Sequence, residues 1–324
     1  MSQPVLGIDI AKDKFDVCLL VEGHARHHVF ANSRAGFQAL AAWLDKQHSP
    51  VVQACLEATG TYGEDLALFL HDAHHTVSIV NPAQIKAFGE SELRRAKTDK
   101  MDAALIARFC ERQQPPAWMP PAPELRELQA LVRRLESLQQ MHTQESNRLA
   151  SGVRTAAVAE SIQDTLAFLE AEIVKIERQI RDHINQHPSL KHKRDLLRSI
   201  KGIGDKTAAA LLAEFPDLEQ FASARALAAY AGVTPEPHES GRSVHRKTQM
   251  SRRGSSKVRK ILYWPAIVAM THNAVIRPFC QRLRERGKPS MAIIVAAMRK
   301  LIHLAYGILK SGRPFDPQYG QATA

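Results

Sequence analysis

The chain has 324 residues, 44% hydrophobic and 24% charged, a globular composition that excludes a disordered, collagen-like or mucin-like protein. Its four cysteines, Cys18, Cys55, Cys110 and Cys280, lie far apart with no Cys-x-x-Cys pair, which argues against a disulfide framework or a cysteine-built zinc site. The net charge is +11, and one acid-free stretch, Ser240 to Arg284, carries eleven basic residues and so the whole excess, which predicts a polyanion partner, nucleic acid first.

The first third alternates strands and helices. Val5 to Ile10 is an apolar run that predicts a buried strand, and Lys14 to Val21 and His24 to Ala31 predict two more. Their tight connections predict an antiparallel meander. Ser33 caps a helix whose apolar residues Phe37, Leu40, Ala41 and Leu44 fall at helical spacing. Val51 to Leu56 is another strand, Glu64 to His74 a helix and Thr76 to Val80 a strand. Asn81 and Pro82 open a helix as N-cap and N1 proline, and a last helix runs from about Asp99 to Arg112. This is the element order of a ribonuclease-H-like α/β fold.

Pro115, Pro116, Pro120, Pro121 and Pro123 cannot sit inside a helix, so a domain boundary is expected there. Beyond it the pattern is helical. Leu125, Leu128, Val132 and Leu135, and then Ile162, Leu166, Leu169, Ile173, Ile176 and Ile180, form heptad-like seams. They predict a coiled-coil hairpin or a dimer arm, with ordinary helix packing as the alternative. The rest, from about His192, reads as mainly α. The expected domains are a catalytic 1–114, a linker with coiled-coil helices over 115–190, and a DNA-binding 191–324. The chain starts without a basic and then apolar run, and Arg299, Lys300 and His303 interrupt the apolar stretch Met291 to Leu309. No secretory leader, no membrane span and a cytoplasmic location are the expectation.

Four acids stand out in the first domain. Asp9 lies in an otherwise apolar strand, where a carboxylate is costly unless it is paired or binds a cation. Glu57 ends a second apolar strand. Asp99 and Asp102 are three apart and share a helix face. In a ribonuclease-H-like sheet these four converge, and their mutual repulsion calls for divalent cations, two Mg²⁺ ions being the usual solution for phosphodiester chemistry. Asp13, Asp16, Glu64 and Asp65 read as surface or turn residues.

Further on, Gly202-Ile203-Gly204 has the form of a helix-hairpin-helix turn. Glycines there let the backbone approach a phosphate, and the start of the next helix, with Lys206, favours anions. A plain interhelical turn is the alternative. Arg242, Arg246, Lys247, Arg252, Arg253, Lys257 and Lys260 are expected to contact backbone phosphates. Ser240, Ser243, Ser251, Ser255 and Ser256 lie among them, and residue type alone does not single out a nucleophile. His71, His74 and His75 read as surface histidines.

With these motifs in view, the chain resembles the insertion sequence one-ten family of transposases, which includes DNA invertases of the Piv type and bridge-RNA-guided recombinases. The likeness rests on Gly7-Ile8-Asp9-Ile10, Glu57-Ala58-Thr59-Gly60 and Lys97-Thr98-Asp99-Lys100-Met101-Asp102. It continues through Ala231-Gly232-Val233-Thr234-Pro235, His238-Glu239-Ser240-Gly241 and Ser251-Arg252-Arg253-Gly254. It implies a RuvC-like domain with Asp9, Glu57, Asp99 and Asp102 as Mg²⁺ ligands, followed by a transposase domain. Ser240 matches the family's nucleophilic serine, with Ser243 close by. The resemblance also implies donor and target DNA, an element-encoded guide RNA, and action as a homo-oligomer, dimer or tetramer. A RuvC-like junction nuclease that uses water and a non-catalytic DNA-bridging protein are the alternatives.

Overall fold

The computed structural model describes residues 3–58, 60–92, 99–153, 155–215, 218, 221–240, 244–250 and 254–318, with the backbone alone for 99–100, 236–240 and 244–250. The chain forms two compact units, residues 1–120 and 121–324.

The first unit is built on a five-stranded mixed sheet in the order β3-β2-β1-β4-β5. Its strands are β1 (Val5–Ile10), β2 (Lys14–Val21), β3 (His24–Ala31), β4 (Gln53–Glu57) and β5 (Thr76–Val80). The first three are the antiparallel meander expected from the sequence, while β1, β4 and β5 run parallel. β4 begins later than the apolar run suggests, and Val51 is exposed ahead of it. Alternation divides the sheet into two apolar faces. Leu6, Ile8, Phe15, Val17, Leu19, Ala54 and Leu56 pack against α1 (Arg34–Lys46) and α2 (Glu64–Asp72). Val5, Cys18, Leu20, Cys55 and Val80 pack against α3 (Pro82–Ser91) and α4 (Asp99–Gln113). Local signals set the helix starts. Ser33 accepts from the Gly36 amide, and Asn81 accepts from the Ala83 amide with Pro82 behind it.

The second unit is helical with one small sheet. α5 (Pro123–Ala150) and α6 (Ala156–Gln186) fold back on each other as a hairpin. The seam residues Ile162, Leu169, Ile176 and Ile180 are buried within the chain. Of these, Leu169, Ile176 and Ile180 share one apolar core with α7 (Pro188–Arg198), α8 (Asp205–Glu214), α9 (Ala224–Tyr230), α10 (Ser256–His272), α11 (Ile276–Glu285) and α12 (Ser290–Ser311). The heptad pattern therefore does local work, and these helices are not a segment apart from the C-terminal helices. α12 is long and apolar enough, by length and composition, to cross a membrane. In the fold its residues Ile293, Ala297, Leu301 and Ile302 wall the core.

The sequence did not predict the two-stranded antiparallel sheet β6 (Pro235–Ser240) and β7 (Val244–Met250). Neither strand carries an apolar alternation, so the pattern gave no signal. Its base is closed by backbone packing. Gly232, at φ +66°, leaves no room for side chains here: a Cβ would come within 2.9 Å of the Gly254 Cα, and one on Gly254 would overlap the Gly232 backbone. The Ser255 amide donates to the Tyr230 carbonyl at 2.8 Å. The chain thus enters and leaves the hairpin at one point.

Candidate active site

β1 pairs with β4 so that Ile8 lies opposite Leu56, which puts Asp9 and Glu57 next along, at neighbouring strand ends and on one sheet face. Both are half-buried. The same face carries α4, and the reason is Gly7. A Cβ on Gly7 would overlap the Ala103 carbonyl and the Ala107 amide, and would lie 2.7 Å from the Ala107 Cα. Three small residues let helix and strand meet backbone to backbone. Asp99 and Asp102 sit in the part of α4 just before that crossing, and Asp102 is half-buried. The Asp99 side chain lies outside the described residues. Among the described residues, no group of three His, Cys, Asp or Glu side chains gathers closely enough to hold a metal. Strand register pairs Asp9 with Glu57, and small-residue packing lays α4, the helix that bears Asp99 and Asp102, on the same face.

A further carboxylate joins that face. Asp16 of β2 lies directly opposite Asp9, is 8% exposed and forms an ion pair with Lys14 at 3.0 Å. The sequence reading placed Asp16 at the surface. The available signal was the alternation Lys14, Asp16, Cys18, which puts all three on the face of Gly7 and Asp9 once the tight turn fixes the register. Asp16, Asp9 and Glu57 are hard oxygen donors that line one face without gathering into a metal-holding group, and the Lys14 ammonium supplies positive charge beside Asp16. The thiols nearby are not part of this chemistry. A hydrogen bond with Cys110, then burial, pushes the Cys55 thiol far up, so it stays protonated.

In the second unit Ser240 ends β6, paired with Val244 of β7 across the hairpin tip. Ser243, Arg242, Arg252 and Arg253 lie outside the described residues, and Arg246 and Lys247 are on β7. Lys257 and Lys260 open α10, and they differ. Lys257 is held by Glu214 at 3.1 Å and Glu136 at 3.5 Å, whereas Lys260 is exposed. The Ile200–Gly204 turn joins α7 to α8 as the sequence indicates. Gly202, at φ +112°, packs so tightly on α10 that a Cβ would meet the Pro265 carbonyl and the Ala269 Cβ at 2.9 Å. Asn273, fully buried, donates to the Lys201 carbonyl at 3.1 Å. Gly202 thus serves helix packing, and Gly204 is the exposed one. At the start of α8, Asp205 pairs with Arg198 at 3.2 Å and Lys206 with Glu177 at 2.6 Å. Of the three clustered histidines, His75 is buried and its Nδ1 accepts from the Val52 amide at 3.3 Å.

Two family models match the chain, the first running past the end of the first unit into the second. Residues 6–156 match a transposase family model of the DEDD, IS110 kind, and residues 194–281 match the "Transposase IS116/IS110/IS902 family". The chain is 36% identical over 319 residues to the pilin gene-inverting protein of Moraxella bovis, covering 98% of each. It is 24% identical to a probable family 20 transposase of Pseudomonas aeruginosa, over 98% of this chain and all of the other. It is also 25% identical to the transposase for insertion sequence element IS1111A of Coxiella burnetii, over 83% of this chain and 78% of that one.

Proposed function

The chain belongs to the IS110 family of transposases, and from that premise we propose that it cuts and rejoins DNA strands through a serine nucleophile and a Mg²⁺-dependent carboxylate site. The observation that carries this reading is the convergence of Asp9 and Glu57 at parallel strand ends under the helix that bears Asp99 and Asp102. The sheet order, with β1 between an antiparallel meander and parallel β4, suits a RuvC-like domain. In the second unit the turn between α7 and α8 is read as a helix-hairpin-helix element whose exposed Gly204 meets phosphate while Gly202 packs on α10.

Asp9, Glu57, Asp99 and Asp102 would hold two Mg²⁺ ions, and bound Mg²⁺ supplies positive charge to the transferring phosphate. The Asp16–Lys14 pair within β2 keeps the face from being purely negative. The Ser240 oxygen displaces a sugar oxygen from phosphorus. A phosphoserine ester forms, and the freed hydroxyl takes the proton that the serine gives up. A hydroxyl on the new strand reverses the step, so joining needs no outside energy source. Arg242, Arg246, Lys247, Arg252, Arg253 and Lys260 hold donor and target DNA by their phosphates, and an element-encoded guide RNA supplies sequence choice by base pairing. The protein acts as a homo-oligomer in the bacterial cytoplasm, on nucleoid DNA.

The test is a denaturing gel of labelled DNA incubated with protein, guide RNA and Mg²⁺. Wild-type protein should give a protease-sensitive shifted band. Ser240→Ala should lose both cleavage and that band, Asp9→Asn should do the same while still binding DNA, and Ser243→Ala should be mild. Cleavage by Ser240→Ala without an adduct would mean that water is the nucleophile.

A further inference from the structure

Within the second unit a cavity of about 590 Å³ opens beside α11 and α12. Its apolar surface comes from Phe279, Val295, Ala296 and Met291, and its polar groups are Arg299, Lys300 and His303. This volume is in the range of small-ligand sites, about 300–1,000 Å³. Among the described residues, the charged groups that line it are the basic Arg299 and Lys300. Lys300 reaches over the Phe279 ring, 5.2 Å from its centroid. The Nε2 atom of His303 is shielded from solvent and has no hydrogen-bond partner among the described residues. A buried polar atom left without a partner is costly in a fold that satisfies most of the others. Desolvation, then the charges of Arg299, Lys300 and Arg225, lowers the His303 pKa, so the ring is neutral and able to donate or accept.

A ligand for this cavity has a flat apolar body, hydrogen-bonding edges and negative charge. A nucleotide has all three. A protein side chain entering here would have to bring an acid to meet the basic rim and also fill an apolar floor. The cavity also includes Val233 and Pro235, where the chain turns into the strand that ends at Ser240. Given the reading of this protein as a nucleic-acid enzyme, we propose that the cavity receives one unstacked nucleotide of the bound nucleic acid, with its base on the Phe279–Val295–Ala296 surface, its phosphate at Arg299 and its edge toward the His303 ring, whose Nε2 is uncovered only as the base enters. Holding one base out of the stack beside the nucleophile's strand would fix the register of the strand to be cut, at a cost in unstacking that stacking and phosphate contacts offset.

The test uses the full chain and fluorescence anisotropy with matched DNA duplexes: fully paired, with one unpaired 2-aminopurine, and with one unpaired abasic position. RNA duplexes with the same three features form a second arm, which identifies the strand type that supplies the base. Wild-type protein should bind the 2-aminopurine probe about tenfold more tightly than the abasic one, with a change in 2-aminopurine emission. Ala296→Trp, which fills the cavity without changing charge, should abolish that difference and leave paired-duplex binding unchanged. Phe279→Leu should reduce the difference several-fold, and it decides the matter if Ala296→Trp does not fold. Equal binding of the 2-aminopurine and abasic probes by wild-type protein, in both arms, overturns the proposal. So does an Ala296→Trp protein that keeps the preference, or one that changes only self-association in sedimentation, which would make the cavity a seat for protein. Failure of wild-type protein to bind any duplex would instead remove the nucleic-acid reading itself.

Discussion

Gly7 decides where the candidate site can form. The strand conformation at this position suits any residue, but only a hydrogen fits beneath Ala103 and Ala107. Gly7→Ala should cost about 3 kcal/mol or more, at the upper end of overpacking effects, because the atoms it meets are backbone and cannot rotate away. Thermal unfolding of the variant measures this, and catalysis should fall with it as α4 is displaced from Asp9. A second residue sets a pH dependence. Burial lowers the His75 pKa below its ordinary 6.5, with Asp45 partly opposing. The folded state therefore holds the neutral ring, and the unfolded chain takes the proton first as pH falls. The stability is fully present above about pH 6.5 and is lost as pH drops toward the folded-state value. The melting temperature should fall on acidification from pH 7 to 5, with a smaller fall in His75→Asn. His303 should add the same sign of dependence in the second unit.

At the scale of elements, two lysines one turn apart on α10 separate structure from function. Lys257 is committed to Glu214 and Glu136, so Lys257→Ala should cost about 1 kcal/mol of stability and leave the salt dependence of binding nearly unchanged. Lys260 is exposed, and Lys260→Ala should reduce the slope of log affinity against log salt by about one unit with no loss of stability. Titrations at several salt concentrations distinguish the two. Asn273 ties the Lys201 carbonyl to the start of α11, accepting also from the Val275 and Ile276 amides. Asn273→Ala should leave these groups unpaired and cost about 1–3 kcal/mol in thermal unfolding. Much of this architecture was legible in advance. Strong apolar runs marked β1, β2 and β5, Ser33 and Asn81 marked helix starts, and Asp9 stood out as a charge in an apolar strand. What escaped the sequence was whatever depends on who faces whom. Asp16 looked like a turn acid until register set it opposite Asp9. Lys257 looked like its neighbours until two distant glutamates claimed it. The β6–β7 hairpin has no apolar face, so it left no periodic trace.

For the molecule as a whole, each unit carries its own core, the first around the sheet and the second among the helices. Calorimetry should show two transitions. Gly7→Ala should lower one, and Ile176→Asp, which buries a charge in the α5–α6 seam, should lower the other. A shift of both by either variant would mean that the units unfold as one. The closure at Gly232 and Gly254 bears on how such a protein diversifies. Val233 stays in the helical core and Pro235 lines the cavity beside α12, but past them β6 and β7 depart and return through a single joint, so lengthening the strands beyond Pro235 puts no tension on the helices. The segment that ends in Ser240 is in effect an exchangeable cassette. Grafting the corresponding hairpin from a relative, cut just past Pro235 and just before Gly254, should exchange the serine-bearing strand while the helical fold is kept.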